Sequence, residues 1–271
     1  MSASLPPAPT LARLAADDLR DGVLNPDLWL MLGWQDIRRR YRRSALGPFW
    51  LTLSMGVMIG GIGLVNSGLF NVGMGALLPS MSLGIVIWTL ISASITDACT
   101  AFTGAEALIR QSRQPFSTYL LRLIWRNLII FAHNMAIVVV VLAIWPPPDW
   151  WRFPLALLGL ALLLLNIGWI CLLVGVVCTR FRDLPQIVTS VLQLLFFVTP
   201  IFWLPSQLAG LRKAIVDFNP LYHVLEVVRA PLLGAPVPAL SWVWSVGMLV
   251  LGWALALYFF VNFRRRLPYW L

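Results

Sequence analysis

The chain has 271 residues, 59% of them apolar and only 11% charged, and its net charge of +9 is carried almost wholly by arginine, because Lys213 is its one lysine. A charged fraction about half that of a soluble globular protein excludes a soluble nucleic-acid binder. A basic excess on so apolar a chain points instead to loops beside an anionic lipid surface.

The first 24 residues are rich in Ala and Pro, carry Asp17, Asp18 and Asp21, and lack an apolar core of signal-peptide type. They are expected to be a flexible segment, and the first long apolar run is expected to stay in the mature protein as part of a single membrane domain over 25–271. An interface helix is expected over 27–46. Leu30, Trp34, Ile37 and Tyr41 fall at spacings of four, three and four, which makes one apolar stripe. Gln35, Asp36 and most arginines of "RRRYRR" (38–43) lie off it. An arginine-rich face opposite a tryptophan is the pattern of a helix lying in the headgroup plane. Gly47-Pro48 then turns the chain into the bilayer.

Six runs are apolar enough to cross a bilayer, at about 49–70, 81–103, 124–145, 154–178, 187–204 and 239–262. A crossing helix needs about 20 residues; the fifth run is short and ends near Pro200. With a cytoplasmic N-terminus, the inner segments hold Arg13, Arg20, Arg38, Arg39, Arg40, Arg42, Arg43, Arg110, Arg113, Arg122, Arg126, Arg180, Arg182, Arg264, Arg265 and Arg266. The outer ones hold only Arg152, Arg212, Lys213 and Arg229. That asymmetry predicts six spans with both ends cytoplasmic.

The second inner segment, "TGAEALIRQSRQPFSTYLLR" (103–122), has room for two helical turns over 105–112 before Pro115. It is either a solvated linker or a small helix that docks a partner protein. In "RFRDLPQI" (180–187), Asp183 and Gln186 have the spacing of a capping box at the start of the fifth span. Residues 205–238 contain two short amphipathic stretches, "SQLAGLRKAIVDF" and "NPLYHVLEVVRAPLLG", with Asn219 as N-cap and Pro220 at the first helical position. A helix of about 11 residues is only ~17 Å long. The region therefore reads as a re-entrant hairpin in the outer leaflet, or as a structured surface loop.

Catalytic machinery is sparse. No G-x-x-x-x-G-K-[ST] occurs, the single lysine excludes a P-loop, and neither H-E-x-x-H nor G-x-S-x-G is found. Cys99, Cys171 and Cys178 sit in or beside apolar runs at no metal spacing, so they read as apolar packing and no metal site is expected. His133, beside Asn134 in the third run, is either a functional intramembrane group or a neutral histidine hydrogen-bonded between helices. Asp97 is expected to pair with Arg122 or Arg126. Gly56 and Gly60 form a G-x-x-x-G for close helix approach, within the chain or across a dimer. Trp145, Trp150, Trp151, Trp203 and Trp270 fall at run ends, as in a membrane belt. Trp88, Trp169, Phe196 and Phe197 lie deeper, as core, lipid-facing groups or the lining of a pathway for sugar rings.

Three stretches, "DIRRRYRRSALGPFWLTLS" (36–54), "RDLPQIVTSVLQLLFFVTPIFW" (182–203) and "NPLYHVLEVVRAPLLG" (219–234), closely resemble the membrane subunit of ABC transporters that export bacterial polysaccharides such as O-antigen, capsule and teichoic acid. "LIRQSRQP" (108–115) resembles the cytoplasmic loop of that family more loosely, and the likeness runs from about 27 to 265. It implies an all-α integral membrane fold in the bacterial inner membrane, with six transmembrane helices, an amphipathic interface helix and two short outer half-helices between spans five and six. It implies a homodimer working with two copies of a separate nucleotide-binding ATPase, which would carry ATP and Mg, so that this chain has no cofactor of its own. The implied cargo is a lipid-linked glycan. Glu106, Leu108, Ile109 and Arg110 match the family's ATPase-coupling positions.

The arginine cluster admits a sharper role than orientation. Arginine grips phosphate oxygens bidentately, which lysine does not reproduce. Arg38, Arg42 and Arg43, with Tyr41, Phe49 and Trp50 alongside to stack on a sugar, make a candidate entrance for lipid phosphate and substrate. Trp88, Phe196, Phe197, Tyr222 and His223 are candidates for channel or gate. The alternatives are an exporter of lipids or drugs with the same fold, and a membrane transferase acting on polyprenyl-linked sugars. The transferase would need acidic metal-binding or nucleophilic groups at the cytoplasmic face, where the sequence supplies only scattered acids.

Overall fold

The computed structural model describes residues 10–42, 49–70, 73–112, 114–205, 210 and 213–271, and the regular elements among them are all helical. They are α1 (Leu11–Leu24), α2 (Pro26–Tyr41), α3 (Phe49–Phe70), α4 (Met74–Cys99), α5 (Glu106–Gln111) and α6 (Phe116–Ile144). The chain continues through α7 (Phe153–Arg180), α8 (Leu184–Val198), α9 (Lys213–Asp217), α10 (Pro220–Leu232), α11 (Ala239–Phe263) and α12 (Leu267–Trp270).

Helix α4 is the core. Most of it between Leu77 and Cys99 is buried, and α3, α6, α7, α8 and α10 pack around it. A helix apolar all round belongs in such a position. The outer helices α3 and α11 bury little and present apolar side chains such as Leu64, Leu69, Val250 and Leu251 outward. Small residues set the closest approaches: a Cβ on Gly159 would stand 2.1 Å from the carbonyl oxygen of Val227 in α10. Of the G-x-x-x-G pair, Gly56 packs against Ile137 of α6, whereas Gly60 faces open space.

Five helical stretches, in α3, α4, α6, α7 and α11, have the length and apolarity to cross a membrane, and α8 is a shorter apolar helix of 15 residues. At 1.5 Å per residue α8 is about 22 Å long. It stops at Val198 because Thr199, extended at ψ 135°, precedes Pro200, and a residue before proline is pushed out of the helical region. Hence length alone qualifies five crossings where six were expected. Helix α4 begins seven residues before the expected 81 and α6 eight before 124; α4 starts after Gly73 without a side-chain cap, whereas α6 has one supplied from elsewhere in the chain.

The cap of α6 comes from the N-terminal segment, which is a correction to its reading as flexible. Residues 11–24 form a helix started by Thr10, whose side chain accepts from the Arg13 N–H. Ala15, Asp18 and Gly22 form its buried face. The Asp18 carboxylate accepts from the backbone N–H groups of Phe116 and Ser117, both at 3.0 Å, satisfying first-turn donors that the preceding Pro115 leaves without a side-chain cap. Gly22 lies so close that a Cβ there would stand 2.1 Å from the Ser117 hydroxyl oxygen. The same carboxylate pairs with Arg264 beyond the end of α11.

Helix α2 packs on α6 through a face that shares Ile37 with the expected apolar stripe. Gly33 and Ile37 are buried. Trp29 meets Trp125 edge-on at 6.2 Å, and Asp36 binds Arg122. Trp34, on the stripe expected to face the headgroup plane, is 52% exposed. The packed side needs a residue as small as Gly33, whose Cβ would sit 2.8 Å from the Trp125 ring, and apolarity alone does not register that.

Beyond α8, α10 is buried along most of its length. Asn219 caps it as expected, accepting from the N–H groups of Leu221 and Tyr222. Arg229 donates to the Glu226 carboxylate (2.8 Å) and to the carbonyl of Pro200 (2.6 Å), so this outer arginine is spent inside the protein. The Asp183 cap expected for α8 does not form. Pro185 has no N–H to offer, and the Gln186 N–H is taken by the Asp183 backbone carbonyl.

Candidate functional site

Three features lie at the end of the bundle expected to be cytoplasmic. The first is the turn Thr103–Ala105 with α5, between α4 and α6. Glu106 and Arg110 pair with each other across one helical turn at 2.8 Å, both well exposed. Leu108 is exposed and Ile109 packs partly on the core. The four expected coupling residues thus share one short helix with an outward apolar side chain between paired charges.

The second feature is the outer side of α2. Gln35, Arg38, Arg39 and Arg42 frame an open basin of about 530 Å³. Among the described residues these arginines have no carboxylate partner, so their guanidinium donors are free for an anion. Tyr41 sits apart from the basin: its hydroxyl is buried without a partner, and burial raises its pKa although Arg40 pulls the other way. Phe49 and Trp50, at the start of α3, are exposed. Arg43 lies outside the described residues.

The third is a charge network behind α2. Arg122 binds Asp36 through two bonds of 2.7 and 2.6 Å. Arg126 and Asn127 both donate to Asp97. The expected partner of Asp97 is therefore Arg126, while Arg122 serves α2. Planar two-point pairing suits arginine, and it fixes the azimuth of a helix that otherwise lies on a flat surface.

Toward the membrane interior, Trp88, Phe196, Phe197 and Phe202 form an aromatic cluster with ring centroids 5.5–5.9 Å apart. Trp88 is buried, whereas Phe197 is 64% exposed. Phe197 ends an exposed line on α8 that runs through Gln186, Ser190 and Gln193, at helical spacings of four, three and four. Tyr222 and His223 are buried. His223 Nε2 donates to the carbonyl of Asp217 (2.8 Å), which leaves Nδ1 to accept from the Ser241 hydroxyl (2.9 Å), and the ring stacks on Trp244. These contacts brace α10 against α11. His133, expected either as a functional group or in an interhelical hydrogen bond, bonds the carbonyl of Ile129 in its own helix through Nδ1, and its backbone carbonyl accepts from Thr52 of α3. All three cysteines are free and buried.

Sequence reasoning missed Asp18, and it noted Asp36 only as lying off the apolar stripe. The available signal for Asp18 was its spacing from Ala15 and Gly22, a small-polar-small face on an otherwise exposed helix.

Comparison with known proteins adds an independent finding. The family model described as "ABC-2 type transporter" matches residues 27–233. The O-antigen export system permease protein RfbA of Myxococcus xanthus is 26% identical over 212 residues, covering 75% of this chain and 79% of the relative. A protein of the same name from Klebsiella pneumoniae is 23% identical over 207 residues, covering 73% and 77%.

Proposed function

The chain belongs to the ABC-2 type transporter family of membrane proteins, and from that premise we propose that it is the permease subunit of an ATP-driven exporter of lipid-linked polysaccharide in the bacterial inner membrane. The printed function of its relatives, O-antigen export, supports the cargo class. The sequence has no phosphate-binding loop, so ATP and Mg belong to a separate ATPase. Glu106, Leu108, Ile109 and Arg110 are the surface that meets it.

The observation that carries this reading is the exposed line Gln186, Ser190, Gln193 and Phe197 on α8. Polar side chains are costly against hydrocarbon and belong on a bundle interior or a wet cavity. In a single chain this line has no cover. A homodimer that brings two α8 faces together turns it into a polar pathway ending in an aromatic ring, suited to sugar. Six crossings with both ends cytoplasmic are supported by the Asp18–Arg264 pair, which joins segments before the first and after the last apolar helix, and by the arginine asymmetry. Loading of the lipid phosphate falls to Arg38 and Arg42 of the open basin on α2.

Deletion of the chain in its host tests this. Lipid-linked glycan should accumulate on the inner side of the membrane and vanish from the cell surface, and re-expression should restore it. Normal surface glycan in the deletion strain contradicts the reading.

A further inference from the structure

A groove of about 590 Å³ links the coupling helix to α1. Leu14, Asp17, Asp18 and Asp21 line it from α1, and Ile109 and Arg110 line it from α5. The start of α6 and Arg264 complete the lining. The four α1 residues fall at spacings of three, one and three, which makes them one stripe of that helix.

Most charges in the groove are already spent. Asp18 serves the first turn of α6 and Arg264, and Arg110 pairs with Glu106. Asp17 and Asp21 are exposed, and among the described residues neither has a basic partner. Arg13 and Arg20 of the same helix are not part of the lining. Two acids one helical turn apart repel each other. Asp21 also stands in the last turn of α1, where the helix dipole disfavours a negative charge. Neither carboxylate therefore helps the isolated chain fold, on a protein whose net charge is +9.

The helix that carries them is nevertheless fixed in place. Asp18 ties it to α6, and Trp29 Nε1 of α2 donates to the carbonyl of Gly22 at 3.1 Å. A surface held in its binding shape loses little entropy when a partner docks. Helix α1 also precedes residue 27, where the match to the ABC-2 family model begins, so this surface is an addition to the matched region.

The lining restricts the occupant. Among the described residues no group of three or more His, Cys, Asp or Glu is placed to hold a metal ion. Two free carboxylates repel the anionic lipids of an inner leaflet and any phosphate. Half-buried Leu14 and Ile109 offer apolar contact beside the acids. What fits is a protein segment that carries both basic and apolar side chains, and the partner of an ABC-2 permease is an ATPase subunit.

We propose that α1 and α5 form one composite docking surface, on which Asp17 and Asp21 pair with Lys or Arg side chains of the ATPase subunit. The proposal rests on the assignment of α5 to that partner.

Binding of the purified ATPase subunit to the full-length chain in nanodiscs tests it, at about 50 mM and about 500 mM salt. Asp17→Asn/Asp21→Asn should bind about five- to tenfold more weakly at low salt, and the difference should vanish at high salt. Asp17→Lys/Asp21→Lys should bind more weakly still, and Asp17→Glu/Asp21→Glu as well as the wild type. The melting temperature of the chain alone should not change, because neither carboxylate has a partner to lose. Wild-type binding by both the Asn and the Lys variants at low salt overturns the proposal. Glu106→Ala/Arg110→Ala separates the two readings. Weaker binding by this variant and by the aspartate variants supports the composite surface. Weaker binding by this variant alone leaves α5 its role and removes α1. Weaker binding by the aspartate variants alone removes α5 and with it the composite surface. Normal binding by every variant, or none by the wild-type chain, removes both.

Discussion

Asp18 and Arg264, 246 residues apart, meet in a two-point contact in which Arg264 Nε (3.0 Å) and Nη2 (2.8 Å) both donate to one carboxylate oxygen of Asp18. Asp18 precedes every long apolar helix and Arg264 follows the last of them. Side chains on opposite faces of a bilayer cannot touch across about 30 Å of hydrocarbon. The pair fits an even number of crossings between them, and with five long helices α8 is the sixth crossing proposed above. Its 15 residues are fewer than the about 20 of a full crossing, so the proposed crossing would be completed by the turns after Thr199.

The pair also carries stability. Asp18 caps α6 and neutralises Arg264, so Asp18→Ala leaves first-turn N–H groups and a partly buried guanidinium without partners. The expected cost is about 3 kcal/mol, seen as a lower melting temperature in detergent. Asp18→Asn keeps an acceptor for α6 but loses the charge, and should fall between. A wild-type melting temperature for Asp18→Ala would show that α1 is not docked.

Gly33 sets how closely α2 approaches α6. A Cβ there would lie 2.8 Å from the Trp125 ring and 3.0 Å from the carbonyl oxygen of Arg122. Gly33→Leu should lift α2, break the Asp36–Arg122 pair and cost about 1–3 kcal/mol. The Trp29–Trp125 contact should open with it, and tryptophan emission should shift to the red. Unchanged emission and stability would place α2 elsewhere.

What was legible in the sequence was local. The limits of α3 coincide with its apolar run, and Asn219-Pro220 announces the start of α10 by chemistry contained within three residues. Asp183 misled because the donors it would need are removed by Pro185 and by a backbone carbonyl. The partners of Asp18, 98, 99 and 246 residues away, leave no local trace, and composition therefore made a docked helix look like a tail. The arginine basin was visible as a charge run. That Asp36 and not the arginines anchors α2 depends on Arg122 of α6, which no spacing within α2 reveals.

The coupling helix should act only on its partner. The Glu106–Arg110 pair is exposed, and such pairs contribute about 0.3–0.5 kcal/mol. Changing both to Ala should therefore leave the stability of the chain unchanged while reducing co-purification with the ATPase, or separating ATP hydrolysis from export. The purified chain alone should hydrolyse no ATP. Normal export by the double variant would remove the docking role from this helix.

Arg38 and Arg42 test whether the basin reads phosphate geometry or only charge. Lysine keeps the charge and the orientation signal but loses the bidentate fork. The double variant Arg38→Lys/Arg42→Lys should insert normally and export about tenfold less, the loss of roughly 1.4 kcal/mol of binding. Export at the normal level would reduce the cluster to an orientation signal.

The most direct test of the account is the sidedness of four positions, three of them exposed and Asp149 half-exposed. Single cysteines replacing Gln111, Asp149, Pro236 and Tyr269 would be exposed to a membrane-impermeant maleimide in right-side-out vesicles, with the three native cysteines buried. Six crossings predict labelling at 149 and 236, and protection at 111 and 269 until the vesicles are opened. Labelling of position 269 from outside while 111 stays protected would mean an odd number of crossings, and would contradict both the role of α8 and the joining of the two ends through Asp18 and Arg264.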